Sequence, residues 1–297
     1  MSSSARVVFV HAWTPLHAGT GQGVGSIDLP IARERPTGLP IVPGSSIKGC
    51  LRDSPDIPES DKTAIFGPKE IKDQNGHAGA LRVGDARLTL LPVRSLSATF
   101  VWVTSPFNLR RLKRDAEACQ LTGLPKNISA IEATKARTTA ATNTVTFASG
   151  KRLVLEELDL LVDPGTQAEA TEWATWFAKN LFPDDPAWQG EFQKRFAIVS
   201  DDIFTFLAEF ATEVNAHISI DDKTGIVADG ALWYQECLPA ESILVSCFHA
   251  EDSKKPDCKL KASDIIAKAT AVSSLQLGGK ATTGLGVVKL IAASNRG

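Results

Sequence analysis

The sequence predicts a mixed α+β fold, and three observations carry that prediction. Short runs rich in β-branched and aromatic residues, such as "ARVVFVHAWT" (5–14) and "SATFVWVTSP" (97–106), read as strands. Stretches of helical length and spacing, such as "FNLRRLKRDAEACQLTGLP" (107–125) and "TQAEATEWATWFAKNLF" (166–182), are interleaved with them. The 297 residues, 43% hydrophobic, are enough to bury a substantial core, and no tandem repeat or long linker divides them.

In chain order, the strand at 5–14 runs into a long loop, "TPLHAGTGQGVGSIDLP" (14–30), punctuated by Gly and Pro. After "VPG", Ser45 or Ser46 is expected to cap a short helix, "SSIKGCLRD" (45–53). Four-residue spacing sets Ile47 and Leu51 on one of its faces and Lys48 and Arg52 on a neighbouring one. "GALRVGDARLTLLPVRS" (79–95) and the run at 97–106 read as two more strands, and the helix at 107–125 is closed by Gly123 and Pro125. "KRLVLEELDLLV" (151–162) reads as a strand, whereas 166–182 and 191–214 read as helices. "HISIDDKTGIVADGALWYQE" (217–236) is expected to form a hairpin turning near "DKTG". A strand at 241–250 and a helix at 261–275 follow, and "LGGKATTGLGVVKLIAA" (277–293) is a Gly-rich turn entering a final strand.

A net charge of -2 argues by itself against a nucleic-acid binder, but the charge is unevenly distributed. Residues Arg82 to Arg152 hold 12 Lys and Arg against 4 Asp and Glu, whereas Leu153 to Glu213 hold 3 against 13. Such a division suits one polyanion-facing surface and another that meets basic neighbours, or two stretches that lie together and cancel. No apolar run approaches the roughly 20 residues of a membrane helix, and the start lacks the charged front of a signal peptide, so a cytoplasmic location is expected. The five cysteines, Cys50, Cys119, Cys237, Cys247 and Cys258, include no CxxC pair and read as scattered reduced thiols. Cys247, His249 and Cys258 match no standard zinc spacing.

Two Gly-rich segments, one near each end, call for a chemical explanation. Residues 17 to 52 contain seven glycines together with an isolated aspartate, Asp28. Neither segment is a standard phosphate loop: "GGKA" places Ala281 where a Walker motif needs a hydroxyl, and the glycines at 19, 21, 23 and 25 do not fit GxGxxG. The general physics survives, since successive glycines let backbone N–H groups converge on an anion and a helix start adds to the attraction. A phosphate chain suits such a surface.

The segments "TPLHAGTGQG", "IDLPIARERPTGLPIVPGSSIKGCLR", "IFGP", "GALRVGDARLTLLPVRS", "TSPFNLRRL", "LVLEELDL", "GALWYQECLP" and "GGKATTGLGVV" cover nearly the whole chain. Together they resemble the backbone subunit of the type III-B CRISPR effector, the Cmr complex, within the RAMP superfamily. "GSSIKG" and the late "GLG" alone point only to a RAMP protein, whereas "DLPIARERPTG" with "DARLTLLPVRS" points to this subunit.

The resemblance implies a single RAMP domain over 1–297: a modified ferredoxin-like, RRM-type palm with a β-hairpin thumb and helical insertions. The candidate thumb lies within 214–238 and a helical insertion spans about 166–213, with "KARTTAATNTVTFASGK" (135–151) as a competing thumb. It further implies copies stacked along a guide CRISPR RNA, complementary target RNA as substrate, other Cmr subunits as partners, and no membrane. Asp28 corresponds to the family's cleavage residue. RNA supplies its own nucleophile, the 2′-hydroxyl, so a carboxylate holding Mg2+ or another divalent cation beside RNA oxygens is chemically sufficient. As a general base, an Asp with a pKa near ~3.9 is poor.

His17, the second catalytic candidate, either contacts phosphate or ribose or packs within its loop. Gly19, Gly21, Gly23, Ser45, Ser46, Lys48, Arg52, Tyr234, Lys280, Thr282 and Thr283 make up the implied RNA surface. The plain alternatives are a tight turn for Lys280, Thr282 and Thr283, a solvated helix face for Lys48 and Arg52, and a core or rim strand position for Tyr234. Arg110, Arg111, Lys113 and Arg114 form a further basic helix face. Three functions remain open: a filament subunit that cuts with Asp28, the same subunit without catalysis, or a guide-processing RAMP endoribonuclease using His17.

Overall fold

The computed structural model describes residues 3–294 except 22, 24–25, 70–75, 141–144, 164, 166 and 221–226. Its first half contains β1 (Ser3–Ala12), β2 (Ile41–Val42), α1 (Gly44–Asp53), α2 (Glu59–Phe66), β3 (Leu81–Val83), β4 (Ala86–Arg94), β5 (Phe100–Thr104) and α3 (Pro106–Ala118). There follow β6 (Lys135–Thr138), β7 (Arg152–Leu155), β8 (Leu158–Val162), α4 (Gln167–Leu181), α5 (Pro186–Lys194), β9 (Phe196–Val199) and α6 (Asp201–Phe210). The chain closes with β10 (Glu213–Ile220), β11 (Val227–Cys237), β12 (Ile243–Glu251), α7 (Ala262–Ala271), β13 (Ser274–Gln276) and β14 (Val287–Ala292).

β1 is apolar on both faces and accordingly lies inside the sheet, antiparallel to β12 on one side and β14 on the other. The sheet runs β13-β14-β1-β12-β4-β5-β9-β6-β8-β7, with β2 beside β4 and β3 beside β12. Alternation along β1 divides the core: Val7 and Phe9 face one layer, Val8 and Val10 the other. The first layer is aromatic and packs α3, α4 and α5 through Trp102, Trp173, Phe177, Phe192 and Phe196, with Trp102 and Phe192 ring centroids 4.7 Å apart. The second is aliphatic and packs α1, α2 and α7 through Ile47, Leu51, Ile65 and Ile265. The α+β class therefore holds. Among the described residues no helix is long and apolar enough to cross a membrane.

Several expected elements are divided differently. The stretch 191–214 is not one helix: Phe196–Val199 form β9, fully buried between β5 and β6, and Ser200 caps α6 by accepting from the Ile203 amide at 3.2 Å. Four consecutive apolar residues fit a strand buried on both faces as well as they fit a helix, and tertiary pairing decides. Residues 151–162 form the β7–β8 hairpin, turning at Glu156 with φ 49°, and 79–95 divide into β3 and β4. α3 ends at Ala118, and the last residues of the expected 261–275 helix enter β13.

Neither Ser45 nor Ser46 caps α1. The helix begins at Gly44 after Pro43, and the Gly44 N–H donates to Asp85 Oδ1 at 2.8 Å, so the cap comes from a distant residue. β10 and β11 pair as a separate antiparallel ribbon where the 217–236 hairpin is expected, though its "DKTG" turn lies outside the described residues. In the competing segment 135–151, β6 belongs to the main sheet, and 141–144 lie outside the described residues.

The loop after β1 is also fastened to α3. Arg111 donates to both carboxylate oxygens of Glu34 at 2.7 and 2.6 Å, and this pairing holds the Glu34 carboxyl down to about 2. A depressed folded-state value makes the pair stabilising above the ordinary carboxylate pKa, and that contribution disappears as pH falls from about 4.5 to about 2. Partial solvent access limits it to about 1 kcal/mol. Glu34→Gln is therefore expected to lower denaturant stability by that amount at pH 7, with the gap from wild type closing as unfolding is measured down to pH 2.5.

Candidate nucleic-acid interface

The two Gly-rich segments, remote in sequence, meet in the fold. The Gly279 N–H donates to the His17 carbonyl at 3.0 Å, and the Gly286 N–H to that of Pro15 at 2.9 Å. Glycine is needed here for close approach. Gly278 has φ +77°, and a Cβ on it would lie 2.2 Å from the His17 carbonyl oxygen. A Cβ on Gly19 would lie 2.5 Å from His17 Nε2. The His17 ring is thus enclosed between the segments, 8% exposed, and its Nδ1–H donates to the Glu236 carbonyl at 2.7 Å. This is the packing position left open for it by the sequence.

Glu236, near the end of β11, is the residue around which the loop is organised. Its carboxylate is buried and accepts from the Ile31 N–H at 3.0 Å, Arg33 Nη2 at 2.5 Å and Thr212 Oγ1 at 3.0 Å. A buried carboxylate is tolerated when paired and hydrogen-bonded in this way. Next to it, the Leu29 N–H donates to the Tyr234 carbonyl at 3.0 Å and the Glu236 N–H to the Leu29 carbonyl at 3.0 Å, so the loop adds a short parallel bridge to β11.

That bridge places Asp28. Its Oδ2 accepts the Tyr234 N–H at 2.8 Å, and its second oxygen has no protein partner among the described residues. The Gly23 N–H donates to the Asp28 carbonyl at 2.8 Å, which uses this glycine's amide inside the loop; Gly21, with φ +95°, remains exposed. Asp28 is exposed and Tyr234 is 40% exposed beside it. No group of three metal-ligating side chains includes Asp28 among the described residues. Among the described residues the protein therefore offers a divalent cation at Asp28 fewer than three such ligands, with the remaining oxygens left to a bound ligand or water.

The same two segments carry Lys48, Arg52 and Lys280. α1 packs beside β3 and β13, the strand that leads into the second glycine segment. Ser45 and Ser46 are exposed in its first turn. Lys48 and Arg52 are half-buried and form no ion pair among the described residues, and the Arg52 Nε is buried without a hydrogen bond. Burial, with repulsion from Arg52, holds the Lys48 ammonium below the ordinary lysine value. Lys280, in a left-handed conformation with φ 65°, places Nζ 5.9 Å over the Trp233 ring. Trp233 in turn stacks on His217, with centroids 5.5 Å apart. Thr282 and Thr283 follow in an exposed 3-10 turn, where the Thr283 hydroxyl donates to the Lys280 carbonyl at 2.8 Å.

The other basic face is engaged by protein. Arg111 is paired with Glu34, Arg110 donates to the Ile128 carbonyl at 3.2 Å, Lys113 to that of Lys126 at 3.4 Å, and Arg114 contacts Asp115 at 3.4 Å. Sequence reasoning missed Glu236 and the Trp233–His217 stack. An acid isolated in "WYQECLP" was the available signal, but Ile31 and Arg33, two of its partners, lie about two hundred residues away in the chain.

The large mixed sheet, the separate β10–β11 ribbon and the two joined glycine segments are those of a RAMP-type fold. Residues 10–289 match the RAMP superfamily model, and the chain belongs to that superfamily. It is 34% identical over 290 residues to the CRISPR system Cmr endoribonuclease Cmr4 of Pyrococcus furiosus, covering 96% of this chain and 95% of the relative. It is 26% identical over 307 residues to the CRISPR system CMR subunit Cmr4 of Saccharolobus solfataricus, covering 95% and 94%. The crystal structure of oligomeric Cmr4 from Pyrococcus furiosus superposes with a TM-score of 0.75 at 27% identity, over 99% of this chain and 100% of that one.

Glu236→Ala is expected to leave the Arg33 guanidinium and the Ile31 amide without their acceptor. The stability loss should reach about 3 kcal/mol in urea unfolding, as for breaking a buried ion pair.

Proposed function

We propose that this chain is the repeated backbone subunit of a type III-B CRISPR effector: it binds guide CRISPR RNA along a filament and cuts complementary target RNA at regular intervals with Asp28. The near full-length likeness to the Pyrococcus Cmr endoribonuclease supports the ribonuclease class. The observation that carries the site is an exposed carboxylate, pinned at one oxygen by the Tyr234 amide, on the loop that joins the second glycine segment through His17. Guide phosphates would lie on Gly21, Ser45, Ser46, Lys48, Arg52, Lys280 and Thr282, where charge-assisted contacts position a strand without reading its sequence. His17, Gly19, Gly23 and Thr283 shape this surface, with His17 as a positioning residue.

The β10–β11 ribbon supports the thumb assignment. Val214, Ile218, Ile220 and Leu232 expose apolar side chains on it, as suits a wedge entering a stacked duplex or a seat on the next copy. A target nucleotide unstacked there could rest on Tyr234 and present its ribose to Asp28. The Tyr234 amide holds the carboxylate's orientation; the substrate's 2′-hydroxyl would attack its adjacent phosphate to give a 2′,3′-cyclic phosphate as the bond to the 5′-oxygen breaks, its proton passing to water and the leaving oxygen taking one up from water. A divalent ion such as Mg2+, when bound, stabilises charge on that phosphate. Its remaining ligands would come from RNA and water. Other Cmr subunits and further copies of the chain would complete the particle, in the cytoplasm.

Asp28→Asn in the assembled complex is expected to abolish target cutting while assembly and binding of complementary RNA persist; retained cutting would remove Asp28 from catalysis and leave a binding subunit. For Lys48→Ala and Arg52→Ala, guide affinity measured against salt should weaken for all sequences alike. Each should flatten the slope of log K on log salt by about 0.7.

A further inference from the structure

Away from Asp28, β12 carries Cys247 and His249 two residues apart, so both side chains leave the same face of the strand. α3 ends against that face. Its last turn closes with the Cys119 N–H donating to Asp115 at 3.0 Å, and Gln120 then reverses the chain with φ 56°. Cys119 is thereby fixed beside the two β12 residues, and the ligand atoms of Cys119, Cys247 and His249 all lie within 4.8 Å of one another. At a tetrahedral zinc with bonds of about 2.3 Å, sulfur–sulfur separation is about 3.8 Å, so the ligand atoms lie within about 1 Å of the spacing that closure needs.

We propose that Cys119, Cys247 and His249 form a zinc site with a fourth position open to solvent. The donor set decides the class of ion: two thiolates and an imidazole favour a borderline-soft cation, whereas the oxygen ligands at Asp28 suit a hard one. Two thiolates also balance the dication's charge. A 330 Å³ cavity lined by Ser4, Arg6, Arg82 and Gln120 is bounded by Cys119 and His249 as well, and provides an access route and room for a water ligand. Cys258, which sequence proximity would pair with Cys247 and His249, does not belong to the group. A bound ion would tie the end of α3 to β12, and so brace the helix whose Arg111 holds Glu34.

The test is cobalt substitution in the chain, stripped of metal and held reduced with a non-thiol reductant. Wild type is expected to take up one equivalent of Co2+ with thiolate-to-cobalt charge-transfer and tetrahedral ligand-field absorption, and Zn2+ should displace it. Cys119→Ser and Cys247→Ser should each lower affinity more than about tenfold and weaken the charge-transfer band, whereas Cys258→Ser should match wild type. Zinc should raise the thermal midpoint of wild type and of Cys258→Ser but not of Cys119→Ser. Absence of a saturable charge-transfer band in wild type overturns the proposal whatever the variants do. So does an unchanged band in folded Cys119→Ser and Cys247→Ser.

Discussion

The buried carboxylate of Glu236 is the constraint on which the loop and the exposed chemistry depend. It gathers the Ile31 amide, the Arg33 guanidinium and the Thr212 hydroxyl, while its own carbonyl accepts from His17. Four chain segments that have no reason to meet by local propensity are thereby held at the root of one ribbon. The price of burying the charge is met by this set of donors, and removing any one of them leaves the buried carboxylate short of a partner.

From that anchor the geometry propagates outward. The parallel bridge at Leu29 follows from the fixed position of Ile31, and it brings Asp28 under the Tyr234 amide. The same anchor holds His17, around which both glycine segments close, so rigidity beneath the surface coexists with exposed backbone above it. Charge completes the arrangement. Arg111 and Arg33 are bound to acids and belong to the scaffold, whereas Lys48, Arg52 and Lys280 have no such partners among the described residues. A net charge of -2 thus conceals a division between cations paired in the scaffold and cations that are not.

Much of this was legible in the sequence where signals are local. The first strand, the body of α3, α4 and the β10–β11 ribbon follow from periodicity and turn residues, and the two glycine segments stood out by composition. What could not be read depends on distance. Phe196–Val199 is a strand because β5 and β6 flank it, and no property of four apolar residues declares that. Gly19 and Gly278 suggest anion cradles in isolation, yet their first physical role is to admit the His17 ring and carbonyl. Asp85 caps α1 from another part of the chain, which is why Ser45 and Ser46 remain free at the surface.

The central claim is that RNA lies across the surface where the two glycine segments meet, with Asp28 at its edge. Zero-length ultraviolet crosslinking of the assembled, guide-loaded complex, with adducts mapped by mass spectrometry, tests it most directly. Adducts should concentrate in residues 17–33, 44–52 and 277–286 and on Tyr234. Adducts confined to the α3–α4–α5 layer, with those segments unmodified, would contradict the account.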